Sequence, residues 1–437
     1  MHRRLKNFKV EGLFGLYRHD IALNQDKHVT AIIGPNGVGK TLCLRMIDAL
    51  FNKKYNLFLL IPFGACTYAF SDGLEIKISK EISTSKESAH KTKLTFQLTK
   101  DGQAPITWRP FDKLEKENAR LRNVRLNFAR EVELLSAMEV EVFVDHLRNP
   151  FQTERDRAFQ SEEAEVFSNL LEGSKCHLIE AQRLLVIPEA EDRSGNKATV
   201  LAVDQKSKTL SQRIKAVLTQ YAALSQSLDR SFPHRILHGR KLPVADPNTI
   251  EGDLSQLEAR RRALEAVGIL EPETESVTEV PRKMTDDVQK VFSVYIADTN
   301  KKLDVFSGLQ RKIQLFESLI KERFVSKSIS IDKEKGFTVT SFSGNKISLN
   351  SLSSGEQHQL VLIFELLFET ETGDLVLIDE PELSLHVAWQ RKFVDDLLKI
   401  IEANPFDAIL ATHSPVLIGH HFDLAVELKG HDGEQVD

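Results

Sequence analysis

The segment that most constrains this chain is GPNGVGKT, residues 34–41. It matches the pattern GxxxxGK[ST] completely, and it lies between an apolar run typical of a strand and a stretch with apolar residues at helical spacing. Glycines there let backbone N–H groups surround phosphate oxygens without interference from side chains, and the start of the helix adds a positive dipole end. The pattern predicts a strand–loop–helix unit that binds a nucleoside triphosphate; a glycine turn with a chance lysine is the weaker interpretation.

Two side chains of this segment are expected to do specific chemistry. Lys40 would reach the β- and γ-phosphates and act in catalysis, and the hydroxyl of Thr41 would bind Mg²⁺. The predicted nucleotide-binding residues are Gly34, Pro35, Asn36, Gly37, Val38, Gly39, Lys40, Thr41 and Leu42.

A second candidate segment is LVLIDE, residues 375–380. Its four apolar residues predict a fully buried parallel strand, and two carboxylates follow at the C-terminal end, where open α/β sheets bind ligands. We predict that Asp379 holds the Mg²⁺ shell and that Glu380 is the general base that deprotonates the attacking water. An apolar run before Asp-Glu is often only a strand end, so this interpretation depends on the glycine-rich segment upstream.

A third segment, LSSGEQ at residues 352–357, precedes an apolar helical stretch. A Ser-Ser-Gly turn that opens a helix presents hydroxyls and free N–H groups, which make a second anion site at Ser353, Ser354, Gly355 and Glu356. One chain does not need two phosphate sites for one nucleotide, so we expect this turn to contact the γ-phosphate held by another copy. A simple helix N-cap is the alternative.

The fourth candidate is His413, in the segment ATHSP just beyond the apolar run 408–411. We predict that it lies at the same edge of the sheet and contacts the γ-phosphate or the attacking water. Most single histidines are structural or solvated, so this role depends on the three segments before it.

The arrangement of patterns along the chain predicts an α/β fold interrupted by helices. Strand patterns dominate residues 5–33 and 56–110, and the last hundred residues alternate helix and strand. We predict a P-loop NTPase head with a mixed sheet and an N-terminal antiparallel β part. Its N-terminal lobe would span 1–185, with a helical insertion at about 112–172. A helical arm would follow at 186–325, and the C-terminal lobe would span 326–437.

Composition restricts the remaining functions. The three cysteines lie far apart without a CxxC pair, which argues against disulfides and a zinc site, and neither a signal peptide nor a membrane span is evident. A cytoplasmic protein is expected. The net charge of −5 does not indicate a nucleic-acid binder. Basic runs do occur among acidic residues, as on solvated helix faces, so nucleic-acid contact is possible but not favoured; they are Arg260, Arg261 and Arg262, and Arg120, Arg122, Arg125 and Arg130.

The order of the four segments, including LVLIDEPELSLH and ATHS, resembles an ABC-type ATPase head. The Ser-Gly-Glu form of the third segment is similar to that of the SMC, RecF and OLD-type branch. The interval of 313 residues between Lys40 and Ser353 is longer than in a transporter subunit and leaves room for the arm. This resemblance implies an ATPase that uses ATP and Mg²⁺ in sites shared between two copies of the chain.

The resemblance also implies further site residues. Gln182, in LIEAQRL, is the best candidate for the glutamine that senses Mg²⁺, with Gln97 as a weaker alternative. The segment 383–386 occupies the D-loop position, where His386 replaces the aspartate of many relatives. Phe14 and Tyr17 are the nearest candidates for an aromatic contact with adenine, although both could be core residues.

The phrases VEGLFGLYRHDI, IDEPELSLHVAWQ and ATHSPVLI are similar to OLD-like ATPases of bacterial antiphage defence, among them the ATPase subunits of the PARIS, Septu and retron-associated systems. This likeness implies a sensor or regulatory subunit that controls a separate effector, expected to be a nuclease. OLD nucleases continue into a Toprim domain; the sequence ends 24 residues after His413, so none is expected. The alternatives are a RecF- or SMC-like ATPase that clamps DNA and an ATP-bound scaffold with little turnover.

Overall fold

The computed structural model describes residues 3–83, 91–100, 102–110, 162–186, 200–238, 246–271, 284–324, 326–383 and 385–429. Most of the helical insertion expected at 112–172, with its four arginines, lies outside the described residues. None of the helices within these ranges has the length and apolar composition that a membrane crossing needs. The chain forms two compact units, Met1–Ala181 with Thr370–Asp437 and Gln182–Glu369. The predicted boundaries at 185/186 and 325/326 stay a prediction.

The first unit contains a six-stranded antiparallel sheet in the spatial order β2-β1-β4-β5-β6-β7. Buried and exposed residues alternate along its strands because one face covers the core. The strands are β1 (Leu5–Leu13), β2 (Tyr17–Ala22), β4 (Ala65–Phe70), β5 (Leu74–Ser83), β6 (Lys91–Lys100) and β7 (Ile106–Trp108). The same unit contains the short helices α2 (Leu57–Leu60) and α3 (Glu162–Leu170).

A five-stranded parallel sheet, in the order β16-β3-β15-β14-β8, forms the other layer of the first unit. Every residue of β14 and β15 is buried, as expected for central strands of a parallel sheet. The strands are β3 (Val29–Ile33), β8 (Cys176–Ile179), β14 (Leu375–Asp379), β15 (Asp407–Thr412) and β16 (Ala425–Glu427). Helices α9 (Val387–Gln390), α10 (Phe393–Ala403) and α11 (Pro415–Ile418) connect the last strands.

Helix α1 (Lys40–Phe51) is buried almost all round: only Thr41 and Arg45 of its residues are not. The Tyr68 hydroxyl of β4 donates a hydrogen bond of 2.8 Å to the Met46 carbonyl, and the same apolar cluster contains residues of both sheets. A helix that is buried on almost every side belongs to the core. Burial of this helix therefore holds the loop at its N-terminus in place.

The second unit begins with β9 (Leu185–Val186) and β10 (Val200–Leu201) and is mainly helical. Its helices are α4 (Ala202–His238), α5 (Pro247–Ala266), α6 (Asp286–Asp304), α7 (Ser307–Lys321) and α8 (Ser354–Phe364), the last continued by a π-helical turn at Glu365–Glu369. A three-stranded sheet of β11 (Lys327–Asp332), β12 (Gly336–Ser341) and β13 (Lys346–Ile347) packs on α4. Gly336 has φ 83°, and a Cβ there would lie 1.8 Å from the Ser207 carbonyl oxygen, so only glycine permits this approach.

The predicted fold class is confirmed: an α/β fold with an antiparallel β part and a helical segment inserted between two parts of the chain. The strands form separate antiparallel and parallel sheets. The inserted helices are held by local polar contacts as well as apolar ones. Asp246 caps α5 by accepting from the N–H groups of Asn248 and Thr249, and Arg235 of α4 forms a bidentate ion pair with Asp298 of α6.

Candidate active site

The loop between β3 and α1 is held by backbone geometry that requires glycine. Gly39 caps α1 with φ 92°, and a Cβ at this position would lie 2.5 Å from the Cδ2 atom of Leu13. Gly37 also has a positive φ, of 82°. Left-handed backbone of this kind disfavours any residue with a Cβ. The structure thus places the GxxxxGK[ST] segment as predicted, between a strand and the N-terminus of a helix.

The order of the parallel strands brings the predicted catalytic residues together. β15 lies between β3 and β14, so the residues after β15 lie between the phosphate loop and the acidic residues that follow β14. His413 occupies this middle position: its Nδ1 lies 3.0 Å from Lys40 Nζ, and its Nε2 lies 3.1 Å from Glu380 Oε1. Because an ammonium group can only donate, Nδ1 accepts, and the N–H of a neutral ring is then on Nε2, facing the carboxylate.

Lys40 is buried, with 4% of its surface exposed, and its Nζ atom donates to the carbonyl oxygens of Gly34 at 2.7 Å and Pro35 at 2.8 Å. Burial lowers the pKa of Lys40, while the nearby carboxylates partly oppose this shift; they are Glu380, Glu382 and Asp379. The ammonium is therefore held inside the loop by acceptors that phosphate oxygens can replace.

Thr41 and Asp379 form the candidate metal-binding pair. The Thr41 hydroxyl lies 3.0 and 3.1 Å from the two carboxylate oxygens of Asp379, a buried residue at the end of β14. A hydroxyl and a carboxylate beside a phosphate-binding loop are the oxygen ligands that Mg²⁺ prefers. The donor chemistry of this pair therefore fits Mg²⁺.

Glu380 has a backbone conformation that is unusual for its residue type, with φ 42°. Its N–H donates to the carbonyl oxygen of Ala411 in β15 at 2.9 Å, so the neighbouring strand supports the turn. Residues held at positive φ cost about 1–3 kcal/mol and cluster at functional sites. The strained turn places the carboxylate beside His413.

Glu382 is a residue of this site to which the sequence motifs assigned no role. Its Oε1 atom accepts from the Thr412 hydroxyl and from the His413 N–H, both at 2.7 Å. Its Oε2 atom is buried and has no hydrogen-bond partner among the described residues. Glu382 thus fixes the backbone that carries His413. The signal available in the sequence was a second glutamate two positions after Glu380.

We call the third segment, LSSGEQ at residues 352–357, the signature segment. It belongs to the second unit and forms the N-terminus of α8. Ser353 and Glu356 make a capping box: the Ser353 hydroxyl accepts from the Glu356 N–H, and the Glu356 carboxylate accepts from the Ser353 N–H at 2.9 Å. Lys327 of β11 donates to both oxygens of Glu356, at 2.7 and 2.8 Å. Burial alone would raise the pKa of Glu356, but the hydrogen bonds from Lys327 and Ser353 outweigh it and lower that pKa. Ser354 is exposed and Gly355 is partly buried at the start of the helix.

The remaining predicted residues belong to other segments of the chain. Gln182 is the exposed first residue of the second unit, and Gln97 lies within β6, opposite Lys77 and Thr107 of its neighbour strands. His386 is exposed, and its Nδ1 accepts from the Ala388 N–H at the start of α9. Ser384, in the D-loop segment, lies outside the described residues.

The two aromatic candidates for adenine contact lie near the phosphate loop. The ring of Phe14 would be 3.7 Å from a Cβ on Gly39, and it meets Tyr17 edge to face. Tyr17 stacks on His19, whose Nε2 lies 2.7 Å from the Val38 carbonyl oxygen. Both aromatic residues are partly buried, so each still offers a surface beside the loop.

Comparison with known families adds a result for nearly the whole chain. The sequence matches the family described as the AAA ATPase domain over residues 4–418. This chain belongs to that family. Membership agrees with the P-loop and the acidic pair at the end of β14 and makes the chain a P-loop ATPase by family.

A curated relative is Protein ea59 of Escherichia phage lambda, which is 36% identical over 90 residues. The match covers 21% of this chain and 17% of that protein. The two proteins are therefore similar over only a small part of each.

Solved structures of SMC head domains also align with this AAA ATPase domain protein. The Pyrococcus furiosus SMC head with an extended coiled coil, bound to the C-terminal domain of ScpA, has 14% identity and a TM-score of 0.33; the alignment covers 95% of this chain and 91% of that one. The Thermotoga maritima SMC head has 14% identity and a TM-score of 0.31, with 97% and 92% covered. These values describe a distant likeness, and the fold assignment depends on the sheets and loop described above.

Proposed function

We propose that this AAA ATPase domain protein binds ATP with Mg²⁺ and hydrolyses it. The observation that carries the proposal is the set of side chains meeting in one unit: Lys40, Thr41, Asp379, Glu380 and His413. Thr41 and Asp379 would hold Mg²⁺, which would neutralise charge on the phosphates when bound. Lys40 would exchange its loop carbonyl contacts for phosphate oxygens.

The chain's own groups suffice for the proton transfer. Glu380 accepts a proton from the attacking water at a carboxylate oxygen, and His413 beside it orients that carboxylate through the Nε2–H contact. Lys40 donates to the other ring nitrogen and so selects the tautomer that faces Glu380. The three residues form one hydrogen-bonded row, from the phosphate loop to the base.

We further propose that the active site is completed by a second copy of the chain. The Ser353 hydroxyl and N–H are already engaged by Glu356. The candidates for the γ-phosphate of the other copy are therefore the exposed Ser354 hydroxyl and the N–H groups of Ser354 and Gly355 at the start of α8. In a closed dimer with two equivalent sites, the P-loop of each copy and the signature turn of the other would contact the same nucleotide.

The test uses purified protein and two variants, Lys40→Ala and Glu380→Gln. We expect both to lower the rate of phosphate release by at least ~100-fold, because phosphate neutralisation and proton abstraction are each worth about that much. Equilibrium binding of ATP separates them: Lys40→Ala should weaken it, whereas Glu380→Gln should retain it. If turnover is absent from the unaltered protein, or unchanged in Glu380→Gln, an ATP-bound scaffold replaces the ATPase proposal.

For the biological role, we propose a cytoplasmic sensor or regulatory ATPase of an antiphage defence system that controls a separate effector, a nuclease. The support is the motif resemblance, together with buried, free thiols at Cys43, Cys66 and Cys176 that suit a reducing compartment. The role is tested by plaque counts on a host that expresses the chain with its neighbouring gene. Lys40→Ala should abolish protection, and protection that persists would exclude an ATP-dependent defence role.

The contacts of the arm disfavour the DNA-clamp alternative. Arg260 donates to Asn300 and to Asp304, Arg261 lies 3.6 Å from Glu265, and Arg262 lies 4.0 Å from Glu258. Because acidic partners offset these charges, the run offers little net attraction for phosphates. ATPase activity that rises on addition of duplex DNA would reverse this preference.

A further inference from the structure

A cluster of metal-ligating groups lies outside the proposed ATP site, at Asp395, His420 and His421. The Nε2 atom of His421 lies 2.7 Å from Asp395 Oδ1, and the Nε2 atom of His420 lies 3.9 Å from the same oxygen. One donor atom from each residue lies within 4.8 Å of the others. Among the described residues, this is the sole group of three such side chains.

Two neighbouring elements of the first unit bring these residues together. Asp395 is in the first turn of α10, and the histidines follow α11 after Gly419, whose φ is 60°. The His421 N–H donates to the Ile418 carbonyl oxygen at 3.1 Å, which fixes the turn. His421 is largely buried, with 12% of its side chain exposed, whereas Asp395 is partly buried and His420 is open to solvent.

A hydrogen bond between Asp395 and His421 does not account for the position of His420. Its ring centroid lies 3.9 Å from that of His421, and both Nε2 atoms are near one carboxylate oxygen. Two imidazole nitrogens and a carboxylate oxygen are the donor set that Zn²⁺ and other late first-row metals prefer, in contrast to the oxygen ligands of Mg²⁺.

The geometry points to a binding site for one divalent transition metal, of which Zn²⁺ is the probe, held by Asp395, His420 and His421. Metal–ligand bonds of about 2.0–2.2 Å place tetrahedral ligands about 3.3 Å apart, so the donor atoms need to shift by only about an ångström. Three protein ligands leave a coordination position for water or another group. The metal would join the segment that follows His413 to α10, so the site is distinct from the Mg²⁺ pair at Thr41 and Asp379.

The test is zinc titration of EDTA-treated full-length protein by calorimetry, without nucleotide. We expect one Zn²⁺ per chain, and a visible absorption band when Co²⁺ occupies the same site. His420→Ala is the informative variant because this side chain is 76% exposed and its loss should leave the fold intact. It should weaken binding at least ~10-fold, as should Asp395→Asn.

The matched control is His177→Ala. His177 forms a comparable contact with a carboxylate, Nε2 to Asp374 Oδ2 at 2.9 Å, but within the described part of the chain it belongs to no three-residue group. Zinc affinity should be unchanged in this variant. The inference is overturned if the unaltered protein binds no zinc, or if His420→Ala and Asp395→Asn bind it as tightly as His177→Ala does. ATP hydrolysis is measured separately, so neither result depends on the proposed ATPase.

Discussion

At the scale of single residues, the roles of some side chains in the site can be assigned from the sequence, and the roles of others only from their contacts in the structure. Lys40 and Thr41 are assigned by a local pattern, since the loop and the helix start that hold them are contiguous in sequence. Glu382 belongs to the same site but acts through contacts with Thr412 and the backbone of His413. Such a residue positions another one, and only its neighbours in space identify that role.

Substitution of Glu382 tests this positioning role. Glu382→Ala should lower kcat by ~10- to 100-fold with little change in KM, because a small displacement of His413 is enough to disturb the geometry of the reacting groups. Glu382→Gln keeps an acceptor oxygen for both hydrogen bonds and should retain activity within about threefold of the unaltered protein. Steady-state phosphate release at varied ATP measures both constants. Equal losses in the two variants would assign the role to the charge of Glu382 instead.

At the scale of elements, helix α8 joins the signature turn to the interior of the second unit. Arg183 Nε donates to Nδ1 of His358 at 3.1 Å, and His358 is 4% exposed. Burial, and after it the charge of Arg183, lower the pKa of His358 to about 4. Lys206 of α4 pairs with Glu365 and Glu369 of the π-helical turn that continues α8. These partly buried ion pairs tie the end of the signature helix to the long helix α4.

The lowered pKa of His358 predicts a loss of stability in mild acid. Its pKa is about 6.5 in an unfolded chain, so between pH 6.5 and 4 the unfolded state binds the extra proton and the folded state does not. The difference in proton binding therefore lowers the free energy of unfolding only below about pH 6.5. Between pH 7.5 and pH 5 this free energy should fall by about 2 kcal/mol.

Urea unfolding of the unaltered protein and of His358→Gln at these two pH values measures this loss. The variant has no titrating group at this position, so the difference in unfolding free energy between the two proteins should change by about 2 kcal/mol. A difference that is the same at both pH values would show that His358 is protonated in the folded state.

At the scale of the whole molecule, the two segments proposed to bind phosphate belong to different compact units: the P-loop to the first and the signature turn to the second. A dimer that pairs each loop with the turn of the other copy would make activity a property of the assembly. Neither unit would then be sufficient by itself.

Mixing two inactive variants tests this shared site. In a dimer of one Lys40→Ala chain with one Ser354→Arg chain, both defects fall in the same site and the other site is intact. Random mixing should therefore restore about a quarter of the unaltered activity if the sites act independently, although each variant alone is inactive. Mixtures that stay inactive at concentrations where dimers form would contradict the composite site.

Several parts of the protein are specified by short patterns in its sequence. A strand, a glycine-rich loop and a helix start are encoded within about twenty residues, as are the buried strand before Asp379 and the cap at Ser353. The tertiary structure decided which of these meet. Lys40 and His413 are 373 residues apart, and their contact exists because β15 lies between β3 and β14 in the sheet. Strand order depends on burial of whole strands against α1, which no short segment encodes, and the roles of Glu382 and of the Asp395 cluster follow from the same packing.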